Sequence, residues 1–343
     1  MTSSATAPLF DTAVTRNFGT RLPIVAGGLM WLSNAHYVSA GARAGVMSFL
    51  TAASFPDRDD LRREISRTRE LSGEKPFGVN VSMLPKLVPG DKVVDTFRLI
   101  ADEGVRFVET SGRNPAHYLD ELKKAGIIVL HKVPGVRYAA SAEAAGVDMV
   151  SIVGAECGGH PSLDMIGSLV NQGLASQRLK IPYLIGGGVG TGGQIAGCLA
   201  SGADGVIIGT RFLVSKEINA HDDYKQALAT ARETDTDLTL TSVHNTVRSL
   251  SNETTRLVAD LEAKDPDIGI EALLPHVSGK IGRKAYETGD VRQGLLSAGQ
   301  SLGLTHKIQP LADIVGQLEF ETRTALQRLA RLSNQLPEEG TRA

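Results

Sequence analysis

The 343-residue chain reads as an α/β protein, a closed (β/α)8 or TIM barrel with a helical cap inserted after the eighth strand. Three observations predict this. Eight short, β-branched apolar runs alternate with helix-like stretches between Leu22 and Phe212. Glycines or polar residues stand at the C-terminal end of almost every run, as one shared functional face requires. After Phe212 the alternation stops, and charged, helix-like, strand-poor sequence takes over. A doubly wound open sheet is the competing arrangement, and the recurrent polar C-terminal ends favour closure.

Taken in order, residues 1–20 are rich in Ser, Thr and Ala and read as a loose leader. Residues 21–213 form the barrel. Its strand candidates are Leu22 to Met30, Gly45 to Leu50, Phe77 to Met83, Phe107 to Ser111, Ile127 to Val133, the run from Met149, Pro182 to Gly188, and Gly205 to Phe212. Helix-like sequence separates them at Asp57 to Leu71, Asp91 to Glu103, Pro115 to Ala125, Val136 to Ala145 and Gln194 to Ser201. Residues 214–306 form the cap, with helices expected over Lys216 to Arg232, Asn245 to Lys264 and Ile270 to Glu287. Residues 307–343 return an amphipathic helix, Leu311 to Leu332, to the barrel and end in a tail expected to fray from Pro337.

Bulk properties exclude several classes of function. The 38 acidic and 36 basic residues leave a net charge of −2 without long single-sign blocks, so no footprint for nucleic acid or anionic lipid is present. Nowhere do about eighteen apolar residues run together as a membrane span requires. The expected partner is a small molecule. Two cysteines, Cys157 and Cys198, give neither a disulfide framework nor metal-ligand spacing, and the eight scattered histidines form no H-E-x-x-H pattern. No metal is expected, and a reducing, cytoplasmic setting fits. A homodimer is left open.

The functional stretch is Met149-Val-Ser-Ile-Val-Gly-Ala-Glu-Cys-Gly-Gly-His-Pro-Ser162, a buried-type strand that ends in a glycine-flanked loop presenting His160. Gly158 and Gly159 let the backbone approach a neighbour closely, and Pro161 fixes the chain after the imidazole. The bland alternative is a tight turn with a solvated histidine. Two glycine turns, Gly186-Gly-Gly188 and Gly209-Thr210, end the seventh and eighth strands, where barrels often hold a phosphate on backbone N–H groups and a helix N-terminus. Residues 188–193 also satisfy G-x-G-x-x-G, but no acidic residue ends the next strand to hold a ribose, so a Rossmann unit fits badly. A purely structural glycine turn is the other alternative. Asn80 and Lys132 end their strands with polar side chains at the same mouth, where an amide suits a flavin's pyrimidine edge and an ammonium suits a phosphate or a reduced ring. Ordinary loop hydrogen bonding and a solvated cation are their structural alternatives. Gly27 and Gly28 offer close backbone approach at the first strand, beside Met30.

As a set, Pro23-Ile-Val-Ala-Gly-Gly-Leu-Met30, Pro76-Phe-Gly-Val-Asn80, Gly154-Ala-Glu-Cys-Gly-Gly-His160, Gly186-Gly-Gly188 and Gly202-Ala-Asp-Gly-Val-Ile-Ile-Gly-Thr-Arg-Phe212 resemble the nitronate monooxygenase family, formerly 2-nitropropane dioxygenases. The flavin-dependent enoyl-acyl-carrier-protein reductases share these motifs. Residues 289–300 resemble the end of the family's cap. The resemblance implies a flavoprotein oxidoreductase with one FMN, its phosphate on Gly187, Gly188, Gly209 and Thr210 and its ring near Gly28, Met30, Asn80, Lys132, Gly154 and Ala155. It implies His160 as the catalytic residue. The family's reaction, so implied, oxidises an alkyl nitronate with O2 to a carbonyl compound and nitrite. The rival is NAD(P)H-dependent reduction of an enoyl thioester or quinone, and a non-catalytic flavin-binding protein is a third reading that replacement of His160 by Ala would separate. Two departures stand out: Cys157 replaces the family's usual Ala and reads as a small filler, and Ile207 replaces the usual Gln or Asn.

Overall fold

The computed structural model of the protein describes residues 10–73, 75–83 and 92–333. Eight strands, β1 (Ile24–Ala26), β2 (Met47–Thr51), β3 (Gly78–Met83), β4 (Phe107–Gly112), β5 (Ile128–Val133), β6 (Met149–Val153), β7 (Tyr183–Gly186) and β8 (Gly205–Ile208), pair in parallel in chain order. Strand β8 pairs back onto β1, with Val25 opposite Ile207, and this closes the barrel. Helices α1 (Ala13–Phe18), α2 (Ala35–Ala44), α3 (Arg58–Ser72), α4 (Lys92–Asp102), α5 (Leu119–Lys124), α6 (Val136–Ala145), α7 (Ser168–Arg178) and α8 (Gly192–Ala200) precede or connect the strands.

Period-two alternation sorts the strand residues between two cores. On β4, Phe107 belongs to the inner cluster with Met47, Phe49, Leu130, Met149, Leu184 and Ile207, whereas Val108 packs outward against the helices. The segment expected to be a loose leader holds helix α1, and this corrects that expectation for residues 13–18; residues 1–9 lie outside the described ones. A capping box between Thr12 and Thr15 starts the helix. Val14 and Phe18, four apart on one face, belong to the barrel's inner cluster, with Phe18 set edge-on to Phe107 at 5.3 Å and to Phe49 at 6.2 Å. The inner residues at the strands' N-terminal ends need an apolar lid there, and α1 supplies it.

Beyond β8 come α9 (Asp222–Thr230), β9 (Thr236–Thr239), β10 (Val247–Leu250), α10 (Glu253–Lys264), α11 (Ile270–Val277), α12 (Gly279–Thr288) and α13 (Leu311–Ser333). The region is strand-poor as expected but holds one hairpin, β9 and β10, which pair antiparallel with Val247 opposite Thr239. They are four residues each, all of β10 is buried, and with Arg248 and Ser249 inside it no apolar alternation marks it in sequence. The helix expected from Asn245 therefore begins at Glu253, where Asn252 and Thr255 form a capping box. Helix α7 also went unread. Its Leu169 and Val170 face solvent while Asn171 and Gln172 are buried, the reverse of the usual pattern. Helix α13 follows its expected range and buries Leu311, Ile314, Val315, Leu318 and Thr322 at helical spacing against α2 and α8. The tail from Pro337 lies outside the described residues.

Candidate active site

Four strand ends build the mouth from a single buried carboxylate. Thr51 on β2, Asn80 on β3 and Glu109 on β4 are register neighbours and share the inner face. Glu109 is fully buried. Its Oε2 accepts from the Gly28 backbone N–H at 3.1 Å and from Asn80 Nδ2 at 2.5 Å, and its Oε1 accepts from Lys132 Nζ at 3.2 Å. Such charge-assisted bonds hold all three donors in place. The Asn80 amide is thereby oriented, with its N–H toward Glu109 and its Oδ1 bonded to no described residue. Lys132 keeps about a quarter of its side chain accessible and points two further N–H groups elsewhere. Met30, 41% exposed, lies at the rim beside Trp31, whose φ of 67° is an uncommon conformation for a bulky residue; Arg283 of α12 stacks over the Trp31 ring at 5.1 Å.

The loop after β6 is clamped from both sides. Within it, the Ala155 N–H donates to the Ile166 carbonyl at 2.9 Å. From the cap, Gly159 and Arg248 of β10 exchange backbone hydrogen bonds at 3.0 and 2.7 Å, and the Gln300 N–H donates to the Glu156 carbonyl at 2.9 Å. The Arg248 guanidinium donates to the Ala155 carbonyl through Nε and Nη2 at 3.2 and 3.1 Å and to Thr236 Oγ1 at 3.0 Å. A Cβ on Gly158 would lie 2.6 Å from the carbonyl carbon of Ala298, so only glycine passes there. Both backbone polar groups of Ala155 are thus already partnered, and what remains for a ligand is its methyl group.

His160 stands on this clamped loop with its side chain reachable by solvent. The dense protein around the imidazole lowers its pKa below the ordinary histidine value of 6.5, and the nearby Lys132 ammonium lowers it further. Cys157 is buried, and burial pushes its thiol up to about 12 against the opposing fields of Arg248 and Lys132. It is an inert filler, as its sequence context suggests.

The glycine turns close the other side. Gly187 and Gly188 have φ of +86° and +77°, and a Cβ on Gly187 would meet the Gly154 nitrogen at 2.8 Å. Ser168 Oγ, at the start of α7, lies 2.7 Å from both the Gly186 and Gly187 carbonyls, and Glu156 accepts from the Ser168 N–H at 3.0 Å. The carbonyls are thereby turned away and the N–H groups of Gly187, Gly188, Gly209 and Thr210 find no acceptor among the described residues. At the N-terminus of helix α8, Thr191 and Gln194 form a capping box and the Gly192 N–H donates to Glu321 Oε2 of α13 at 2.8 Å, so protein acceptors use the Gly192 and Gln194 donors, while the Gly193 N–H finds none among the described residues. Thr210 Oγ1 accepts from the Gly299 N–H at 2.9 Å and keeps its own proton to donate. Ile207 is buried in the inner cluster and offers no polar contact. A cleft of about 590 Å³ opens beside the turn, walled by Gly187, Gly188, Glu156, Ser168, Gln300 and Leu304.

The structure therefore joins Gly28, Asn80 and Lys132 through Glu109, sets Lys132 within electrostatic reach of His160, and places Gly154 against Gly187. Sequence reading missed Glu109 and Arg248. Glu109 carries a signal, a lone charge at a position that alternation along its apolar run assigns to the interior, whereas Arg248 lies in a strand without such alternation. Among the described residues, no three His, Cys, Asp or Glu side chains group as metal ligands, and no helix is long and apolar enough to cross a membrane.

A closed barrel whose C-terminal mouth carries an accessible imidazole, an ion-paired lysine and N–H groups on two glycine turns that find no acceptor among the described residues has the parts of a barrel oxidoreductase, an enzyme of the flavin-dependent class acting on small molecules. Its family follows from comparison with known proteins: the nitronate monooxygenase profile matches residues 11–321, and the chain belongs to that family. It is 28% identical to a nitronate monooxygenase of Paraburkholderia phytofirmans, over 92% of this chain and 96% of that one. It is 32% identical to an octahydro-indene-carboxyl-CoA dehydrogenase of Mycobacterium tuberculosis, over 63% of this chain and 59% of that one. Among solved structures, FabK from Thermotoga maritima superposes with a TM-score of 0.85 at 29% identity, covering 94% of this chain and 99% of that one.

Proposed function

We propose that the protein is an FMN-dependent nitronate monooxygenase that oxidises alkyl nitronates, and the nitroalkanes that ionise to them, with O2 to a carbonyl compound and nitrite. The residues fit a flavin mononucleotide. Two turns supply N–H donors, without acceptors among the described residues, for its phosphate at Gly187, Gly188, Gly209 and Thr210, and a ring in the mouth would meet Gly28, Met30, Asn80, Lys132 and Gly154. When bound, FMN accepts electrons from the substrate and passes them to O2.

The observation that carries the reading is an accessible imidazole on a loop clamped by β10, within the field of the Lys132 ammonium. With its pKa lowered, His160 is unprotonated at neutral pH and is free to take the α-proton of a nitroalkane. Lys132 attracts the nitronate's charge on its oxygens. The clamp between β10 and the His160 loop fixes the imidazole while the cap covers the mouth. A cytoplasmic setting agrees with the two free, buried cysteines.

A second reading, NAD(P)H-dependent reduction of an enoyl thioester or quinone, draws support from the carboxyl-CoA dehydrogenase relative and the close superposition on FabK. One experiment separates them. Anaerobic mixing with propyl-2-nitronate bleaches the flavin absorbance if the first reading holds and NADPH leaves it unchanged; bleaching by NADPH alone makes the protein a reductase.

A further inference from the structure

We propose that Glu109 is the positioning residue of the mouth: one buried carboxylate holds Lys132, Asn80 and the Gly28 N–H and sets the position and field of the Lys132 ammonium toward His160 and the bound ligand. The inference rests on the flavin reading only for its ligand; the contacts themselves belong to the protein.

Glu109 is fully buried at a register position that on the neighbouring inner positions carries Asn80 and Leu130. A carboxylate there is costly unless paired and fully hydrogen-bonded. The structure meets that cost with three donors on two oxygens, one each from β3, β5 and the turn after β1. Glu109 itself does not reach solvent, so it touches neither substrate nor flavin, and its influence passes through its partners. Two consequences follow. Asn80 is locked with its Oδ1 bonded to no described residue, and Lys132, whose field reaches His160 and Cys157, is drawn against the strand and compensated. A neutral, apolar residue at this position would fill the space without either effect.

The charge acting on His160 is Lys132, which pairs with Glu109 on β4; Glu156 on the loop and Arg248 on β10 act, with Lys132, on the neighbouring Cys157. The test reads the imidazole of His160 in flavin-free protein by NMR with histidine labelled in nitrogen-15, assigned by comparison with His160→Ala. Glu109→Gln lowers the His160 pKa by roughly half a unit to one unit, because the Lys132 cation is released uncompensated. In a Lys132→Met background the same replacement leaves the titration unmoved, since the path runs through the ammonium. In FMN-loaded protein Glu109→Gln raises the flavin's reduction potential in the Lys132 background and not in the Met background. If Glu109→Gln does not fold, Glu109→Leu, which fills the space with a neutral side chain and leaves no buried amide to satisfy, carries the same comparison. An unchanged His160 titration, or an equal shift with and without Lys132, overturns the inference. A protein that takes up no FMN defeats the flavin reading, while the flavin-free titration still decides the role of Glu109.

Discussion

The guanidinium of Arg248 donates twice to the carbonyl oxygen of Ala155, at 3.2 and 3.1 Å, tying the second cap strand to the loop that carries His160. A backbone pair between Gly159 and Arg248 runs beside it. Arg248→Met removes the side-chain bonds and leaves the backbone pair, so the imidazole loses orientation while the flavin turns are untouched. We expect kcat to fall roughly tenfold or more with FMN affinity held within about twofold. Steady-state kinetics and a flavin titration check this, and equal losses in both would show that the arginine serves the whole fold.

His160 gives the enzyme its expected pH dependence. Its pKa lies below 6.5 in the folded protein, so the neutral, proton-accepting form persists as pH falls through the ordinary histidine range. The acid limb of kcat/KM with a nitroalkane substrate should therefore stand below pH 6.5. Lys132→Met removes a cation that disfavours protonation, and the limb moves up. A limb unmoved by that variant would separate Lys132 from His160.

His131 faces outward on β5, is 2% exposed, and meets Thr110 Oγ1 through Nδ1 at 2.8 Å. Burial lowers its pKa from 6.5 to about 4. The unfolded chain thus binds a proton near pH 6.5 that the folded protein refuses until about pH 4, so this residue's contribution to stability is full above that window and is lost through it as pH falls. The loss is on the order of 3 kcal/mol at most. Denaturant unfolding at pH 7 and pH 4.5 should show a smaller difference for His131→Asn than for the wild type.

Helix α1 predicts its own effect on stability. Phe18→Ala empties an edge-to-face site against Phe49 and Phe107 at the barrel floor and should cost about 3–5 kcal/mol. Activity per folded molecule should survive, because the site lies at the opposite end of the strands. A shift of less than about 1 kcal/mol in urea unfolding would mean that the floor does not depend on this ring.

The barrel was legible because parallel strands buried on both faces write themselves as apolar runs, and because their polar C-terminal ends repeat. Asn80, Lys132 and His160 could be picked out as strand-end or loop residues of unusual chemistry. Glu109 could not, since its meaning depends on partners 29 and 23 residues away that only strand register brings to it. Arg248 was hidden for the same reason, at 93 residues from Ala155. Helix α1 was masked by a Ser, Thr and Ala-rich start, and α7 by its inverted polarity, with Leu169 at 80% exposure and Asn171 at none. Local pattern predicts elements; it does not record which buried charge will meet which donor.

Titration of flavin-free protein with FMN, followed by flavin fluorescence, decides whether the turns at Gly187 and Gly209 hold a flavin mononucleotide. Wild-type protein should bind one FMN per chain. Gly187→Ala, whose Cβ would press on the Gly154 nitrogen at 2.8 Å from a backbone φ of +86°, should bind it about tenfold more weakly or worse. Wild-type protein that binds no FMN, or an alanine variant that is folded and binds it equally well, would place the flavin phosphate elsewhere or nowhere in this protein.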